Sequence, residues 1–320
     1  MSNRTIITDF LLMGFSEQWE FQILHFMVFL MMYVVMLIGN LLLIILVLMN
    51  NHLQTPMYFF LVNLAIVDLG STTVTIPRSI ASALMNIRKI SYSECAAQMF
   101  FFVFFLSSDL FLLTAMAYDR YVAICHPLLY MSMMKWGTCF QIAGGAWMVG
   151  FLNAAIHAGT LFSFPFCSTV IHQFFCEIPH LMKISCVDSK FSEIRVLIFS
   201  ALLGVVSFML IIMSYVKIFK TILSMSSVAS RQKAFSTCIP HLLVLFLLCG
   251  TGSFSYFISN SGSSYIWNEV LAVIYSVIPP IINPIIYSMK NKDIKAALWK
   301  FFKSKYYKSK HRTCLILKSN

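Results

Sequence analysis

Seven long apolar stretches decide what this chain can fold into. They run over Leu24–Met49, Met57–Ser79, Ala96–Tyr118, Cys139–Phe162, Val196–Phe219, Ile239–Phe257 and Val270–Tyr287. A helix needs roughly 20 mostly apolar residues to cross a bilayer. Inside hydrocarbon every backbone N–H and C=O must find a partner within the protein, which leaves only helices or closed barrels. These runs are too long and too continuous for barrel strands. The sequence therefore predicts an all-α membrane protein, a seven-helix bundle in one domain. Residues 1–23 precede the bundle, 24–288 form it and 289–320 follow it as a tail. Only 11% of the 320 residues are charged and 59% are hydrophobic, whereas a soluble domain carries about a quarter charged residues. Little chain is left for a separate catalytic domain.

The formal net charge is +11. In a soluble protein that balance would point to nucleic acid. Here the cations flank the spans, so membrane lipids with anionic headgroups are the partner they fit, not nucleic acid. Lys and Arg gather on the inner side of a membrane. An external N-terminus places Arg120, Lys135, Lys217, Lys220, Arg231, Lys233 and the basic tail from Lys290 to Lys318 inside. The segment Asn50–Pro56 departs from this pattern, with only His52. Met1–Glu20 lacks the basic, apolar and small-residue order of a cleavable signal peptide, so the first span is expected to act as the signal. Asn3-Arg4-Thr5 is a glycosylation sequon that would lie outside, marking Asn3. Four of the nine cysteines, Cys95, Cys167, Cys176 and Cys186, also fall on the outer side, where disulfides persist. That even number fits two bridges and leaves three pairings open. Beyond the seventh span, Asn291–Phe302 sets Ile294, Ala297, Leu298, Phe301 and Phe302 at helical spacing between lysines. It reads as a short amphipathic helix on the inner leaflet; past Lys303 a disordered tail is expected.

Polar groups at membrane depth are costly and so mark function. Asp68 lies in the second run, Asp109 in the third, Asn40 in the first and Asn283 in the seventh. Two carboxylates and two amides suit a small hard cation such as sodium. A hydrogen-bonded network with one acid protonated is the other reading. Asp109 precedes Arg120 by eleven residues, close to three helical turns, so the two share a face. Asp119-Arg120-Tyr121 ends the third run. An adjacent Asp holds the Arg in one position, and polar groups on neighbouring helices offer it another, which is the bistable element a switch needs. Asn283-Pro284-Ile285-Ile286-Tyr287 ends the seventh run, where Pro284 removes a backbone bond and permits a kink.

These motifs resemble the rhodopsin-like receptor superfamily, and the longer strings resemble its odorant-receptor branch. The resemblance rests on Pro56 to Leu61, Met116 to Cys125 continuing into Pro127, Leu128 and Tyr130, Ser214-Tyr215, Lys233 to Cys238 followed by Pro240-His241-Leu242, and Pro280 to Asn291. It spans Phe10 to Leu298. It implies a tetrapod-type odorant receptor that binds small volatile or hydrophobic ligands and activates a heterotrimeric stimulatory olfactory G protein, raising cyclic AMP, at the plasma membrane. It also implies Cys95–Cys176 and Cys167–Cys186 bridges and a switch role for Asp119, Arg120, Tyr121, Tyr215, Asn283, Pro284 and Tyr287. Asp109 matches an acid typical of the branch. Two departures and two absences stand against the family pattern. Met289-Lys290 stands where Leu-Arg is usual, and Cys249 stands where an aromatic pivot is common. Phe102 occupies the place of the amine receptors' acid, and the seventh run has no Lys for a retinal Schiff base.

Aligning the outer halves of the spans gives a candidate pocket. It comprises Phe102, Val103, Leu106 and Ser107 on the third, His157 on the fourth, and Phe199, Ser200 and Leu203 on the fifth. Gly252 and Tyr256 come from the sixth, and Tyr275 and Ser276 from the seventh. The set is apolar with a few hydroxyls, as small-ligand pockets are, although any one member can instead serve helix packing. A transporter would show an internal repeat with interrupted spans, and none is visible. An enzyme built on Asp68 and Asp109 would need a nucleophile set or a metal motif such as H-E-x-x-H, and the sequence offers neither. The expectation is a receptor, without catalytic residues or a bound cofactor other than the possible sodium ion.

Overall fold

The computed structural model describes residues 8–13, 18–85, 87–260, 265–290, 293–301 and 303. Seven long helices form the bundle: Trp19–Met49, Pro56–Met85, Tyr92–Cys125, Trp136–Phe162, Val187–Ser224, Val228–Asn260 and Tyr265–Lys290. They are called here the first to seventh spans, and each contains a stretch long and apolar enough to cross a membrane. The helices overrun the apolar stretches. The sixth starts at Val228, just before the polar run Ser230-Arg231-Gln232-Lys233. A helix satisfies its own backbone bonds, so it continues into water where hydropathy no longer marks it.

The arrangement of polarity is inverted relative to a soluble domain. Asn40, Asp68, Thr72, Asp109 and Asn283 are buried, whereas Ile38, Phe140 and Phe246 are exposed. Lipid is the natural solvent for such a surface. One close approach sets the geometry of the bundle. A Cβ at Gly150 would lie 2.2 Å from Ser108 Oγ and 2.9 Å from the Phe104 carbonyl oxygen. Only glycine lets the third and fourth spans meet so tightly. Trp147 Nε1 donates to Asn63 Oδ1 at 3.0 Å, tying the fourth span to the second.

One end of the bundle carries both disulfides, Cys95–Cys176 and Cys167–Cys186. These are the pairings the resemblance implied. At this disulfide end a small sheet forms from β1 (Asp9–Leu12), β2 (Lys89–Ser91) and β3 (Val170–Ile171), in the order β2-β1-β3. β1 runs antiparallel to β2, with Phe10 opposite Ile90, and parallel to β3, with Leu12 beside Ile171. The sheet was not legible in the sequence, because four residues are too few to show a strand period. Phe10 is buried and packs its ring against Tyr92 and Phe166. Ser91 and Glu94 close a capping box at the start of the third span. Asn3 lies outside the described residues.

At the opposite end, residues 293–301 are helical. Ile294 and Ala297 are buried and join the main apolar cluster, with Leu298 and Phe301 packed against it. The short amphipathic helix expected after the seventh span is thus present. The apolar face meets the bundle itself, because it follows closely on the seventh span, and Trp299 is the apolar residue turned outward. Tyr58 of the second span donates to Asp293 Oδ2 at 3.2 Å and helps hold the helix there. Lys292, Phe302 and the stretch 304–320 lie outside the described residues.

Candidate functional site

The disulfide end is closed by a loop that the third span pins down. Gln98 donates from Nε2 to the Val74 carbonyl and accepts from the Cys176 N–H, each at 2.9 Å. This anchors the segment bridged to Cys95 and sets Phe174 and Phe175 over the mouth of the bundle. The Phe175 ring lies 5.1 Å from Phe102, which in turn lies 6.2 Å from Tyr275. The cluster also holds Phe174 and Ala272. Next to it a buried Glu177 accepts bonds from the Tyr275 hydroxyl, from Gln173 Nε2 at 3.4 Å and from His180 Nδ1 at 2.7 Å. An aromatic lid and a polar clasp thus join the loop to the seventh span. Sequence reasoning missed Glu177, whose only signal was its place beside a bridging cysteine.

Below the lid, a chain of polar side chains crosses three spans. Asn153 donates from Nδ2 to Ser107 Oγ at 3.0 Å, and Ser200 Oγ donates to Asn153 Oδ1 at 2.6 Å. His157 Nε2 lies 2.9 Å from Ser200 Oγ. Three expected pocket residues, Ser107, His157 and Ser200, are therefore brought together, with Asn153 at their centre. Gly150, one turn from Asn153, provides the close approach that lets the amide reach the third span. Val103 is buried, while Ser107, Leu203 and Gly252 keep partial access, and among the described residues no atom stands within 4 Å of a Cβ built at Gly252. Leu106 is exposed and, like Phe199, is an apolar residue whose type alone did not show which solvent it faces. Ser276 gives its proton to the Ala272 carbonyl at 2.5 Å and so serves its own helix. Phe199 is not brought to this group. It is half exposed and lines a lateral groove of ≈ 720 Å³ with Ile156, Gly159, Thr160 and Val196. An apolar residue suits lipid and a bundle interior equally, so its type alone does not place it. The side chain of Tyr256 lies outside the described residues.

At mid-depth Asn283 Nδ2 donates to Asp68 Oδ2 at 2.9 Å, and Asn40 Nδ2 donates to the Pro280 carbonyl at 3.0 Å. The first, second and seventh spans are thereby joined around the proline-rich stretch. Oδ1 of Asp109, Asn40 and Asn283 are buried without a hydrogen-bond partner among the described residues. Three unpartnered acceptor oxygens near a buried carboxylate form a donor set that a small hard cation fits. Among the described residues no cluster of three His, Cys, Asp or Glu suits a transition metal.

The far end holds Arg120. Its Nε lies 3.0 Å from Asp119 Oδ2, and Nη2 reaches the same oxygen. Tyr130 donates to Asp119 Oδ1 at 2.8 Å. Burial, and then the neighbouring Asp119 carboxylate, push the Tyr130 phenol well up, so it remains a donor at any physiological pH. The Tyr215 hydroxyl and His241 Nδ1 are 2.6 Å apart, and His241 Nε2 is 3.0 Å from the Leu113 carbonyl. The third, fifth and sixth spans thus meet at one imidazole, a role the sequence did not reveal. Tyr287 is buried nearby, its hydroxyl without a partner among the described residues. Tyr121 is set apart: it pairs with His126 Nε2 at 3.0 Å, and Lys217 lies 5.3 Å from its ring centre.

The olfactory receptor family profile matches residues 29–305. The chain belongs to the olfactory receptor family. Olfactory receptor 14I1 of Homo sapiens is 46% identical over 97% of the chain and 100% of its own length. Olfactory receptor 14A16 of Homo sapiens is 43% identical over 96% and 100%, and olfactory receptor 5B12 of Homo sapiens is 42% identical over 94% and 96%. In this receptor the lidded disulfide end and the Arg120 end lie at opposite ends of the bundle. The Asp68 network lies between them.

Proposed function

We propose that the receptor takes small, neutral, hydrophobic odorants beneath the Phe102–Phe175–Tyr275 lid and signals to a heterotrimeric stimulatory olfactory G protein at the Arg120 end, raising cyclic AMP. The observation that carries this reading is the held state of Arg120. Its guanidinium is tied to Asp119, and Asp119 is tied to Tyr130, while Tyr215 is occupied by His241. A buried arginine with an alternative set of partners close by is an element that ligand binding can bias. The distribution of Lys and Arg supports an external disulfide end and an internal Arg120 end, in the plasma membrane.

The ligand class follows from the walls. Apolar contact supplies roughly 25 cal/mol per Å² of buried ligand surface. A permanent cation would meet Phe102 where an acid would be needed, and Glu177 already receives Tyr275, Gln173 and His180. An unpaired buried charge is expensive. A screen of aldehydes, ketones, alcohols and esters against matched quaternary ammonium analogues, read as cyclic AMP, should find agonists only among the neutral compounds. Arg120→Ala should abolish the response at normal surface density. Agonism confined to permanent cations, or a full response from Arg120→Ala, would refute the reading.

The core acceptors support a sodium ion held by Asp68 and Asp109 with the Asn40 and Asn283 amide oxygens. Such an ion would fasten the middle of the bundle and oppose its rearrangement. Replacing sodium by a large organic cation should then raise agonist potency in the native receptor and leave Asp109→Asn unaffected. Equal sodium dependence in both would dismiss the site.

A further inference from the structure

The polar chain across the third, fourth and fifth spans has a direction. An amide oxygen only accepts and an amide nitrogen only donates, while a serine hydroxyl has one proton to give. The contact of 2.6 Å between Ser200 Oγ and the Asn153 side chain is in the O–H···O range and shorter than N–H···O bonds run. The contact of 3.0 Å to Ser107 fits N–H···O. The amide is therefore oriented with its oxygen toward Ser200 and its nitrogen toward Ser107. Ser200 gives its single proton to Asn153, so it must accept from His157, whose Nε2 carries hydrogen. At the other end Asn153 donates into Ser107 and fills one of its acceptor sites. The proton of Ser107 is left over.

Its neighbour shows the usual fate of such a proton. Ser108 gives its own to the Phe104 carbonyl one turn back, at 2.8 Å. Ser107 makes no corresponding bond among the described residues, and it keeps partial access midway along a helix that packs against most of the bundle. Val103 and Leu106 beside it are apolar, and Ser276 and Tyr275 have already given their protons away.

We propose that Ser107 is the specificity-determining donor of the chamber, and that Asn153, Ser200 and His157 are positioning residues that point its proton at the ligand. The favoured odorants then carry an acceptor oxygen, as in a ketone, aldehyde, ester or ether, on an apolar body. This deepens the reading that agonists are small, neutral and hydrophobic, and it rests on that reading.

The test uses the full receptor in cells, with cyclic AMP as readout and surface density measured in parallel. Ketones are paired with hydrocarbons of the same length and shape, and also with the corresponding alcohols. In the native receptor the ketone should be more potent than its hydrocarbon by roughly three- to tenfold, the scale of one net hydrogen bond. Ser107→Ala should erase that ratio; Ser107→Thr should retain it. Asn153→Leu leaves Ser107 in place but frees it to turn to its own helix, and should shrink the ratio as well. Where Asn153→Leu fails to reach the surface, Ser107→Ala decides. A ratio untouched by Ser107→Ala overturns the proposal, as does a native preference for the alcohol that Ser107→Ala removes. Neutral agonists whose potency gains nothing from an acceptor oxygen sink this proposal alone. Silence of every neutral compound at a receptor present on the surface sinks it together with the reading beneath it.

Discussion

Tyr215 and His241 meet at 2.6 Å, and the third partner fixes which of them donates. A carbonyl oxygen lies 3.0 Å from His241 Nε2, so that nitrogen carries the proton and Nδ1 accepts from the tyrosine. One neutral imidazole thereby holds the fifth and sixth spans to the third. His241→Phe keeps the ring volume and removes both bonds. Together they are worth about 1–3 kcal/mol net, so basal cyclic AMP should rise roughly fivefold or more, with the agonist ceiling preserved. Unchanged basal signalling at normal surface density would show that the bridge restrains nothing. At this scale the sequence is a good guide only where partners are adjacent. Asp119 and Arg120 announce themselves as a pair, whereas the partners of His241 and Asn153, and the Tyr275 that reaches Glu177, lie on other spans and no local pattern names them. Phe199 failed for the opposite reason, since an apolar side chain carries no sign of which solvent it faces.

Elements depend on how their ends are tied. The loop at the disulfide end is held by the Cys95–Cys176 bridge and by Gln98, which bonds both the loop and the second span. Losing a native bridge typically costs ~2–5 kcal/mol. Cys95→Ser and Cys176→Ser should therefore abolish surface expression. Gln98→Ala, which leaves the covalent tie, should lower expression severalfold and no further. Flow cytometry of a tagged receptor separates these outcomes. The helices themselves were legible, because about 20 apolar residues in a row admit few other structures. Their ends were not, since a helix like the sixth runs on through Arg231 and Lys233. The strands of the sheet were missed altogether, being fixed by partners far apart in the chain, with Leu11 beside Val170.

The whole molecule divides into parts of unequal freedom. The third and fourth spans lie against each other along their length, with Gly150 pressed on Ser108 and Phe104. The sixth span packs chiefly on the seventh and touches the third more lightly. Such unequal packing suits a fixed part and a moving part, a stator and a rotor. Cysteine pairs engineered to lock the third span to the fourth should leave the agonist-driven cyclic AMP response within about twofold of the uncrosslinked protein, because nothing there has to turn. Pairs locking the Arg120 end of the sixth span to the third should silence it, and reduction should restore the response. The missing methyl group at Gly150 would then be the bearing on which the machine is mounted: by removing play from one seam, it leaves the displacement produced at the lid nowhere to go except into the helix that carries His241.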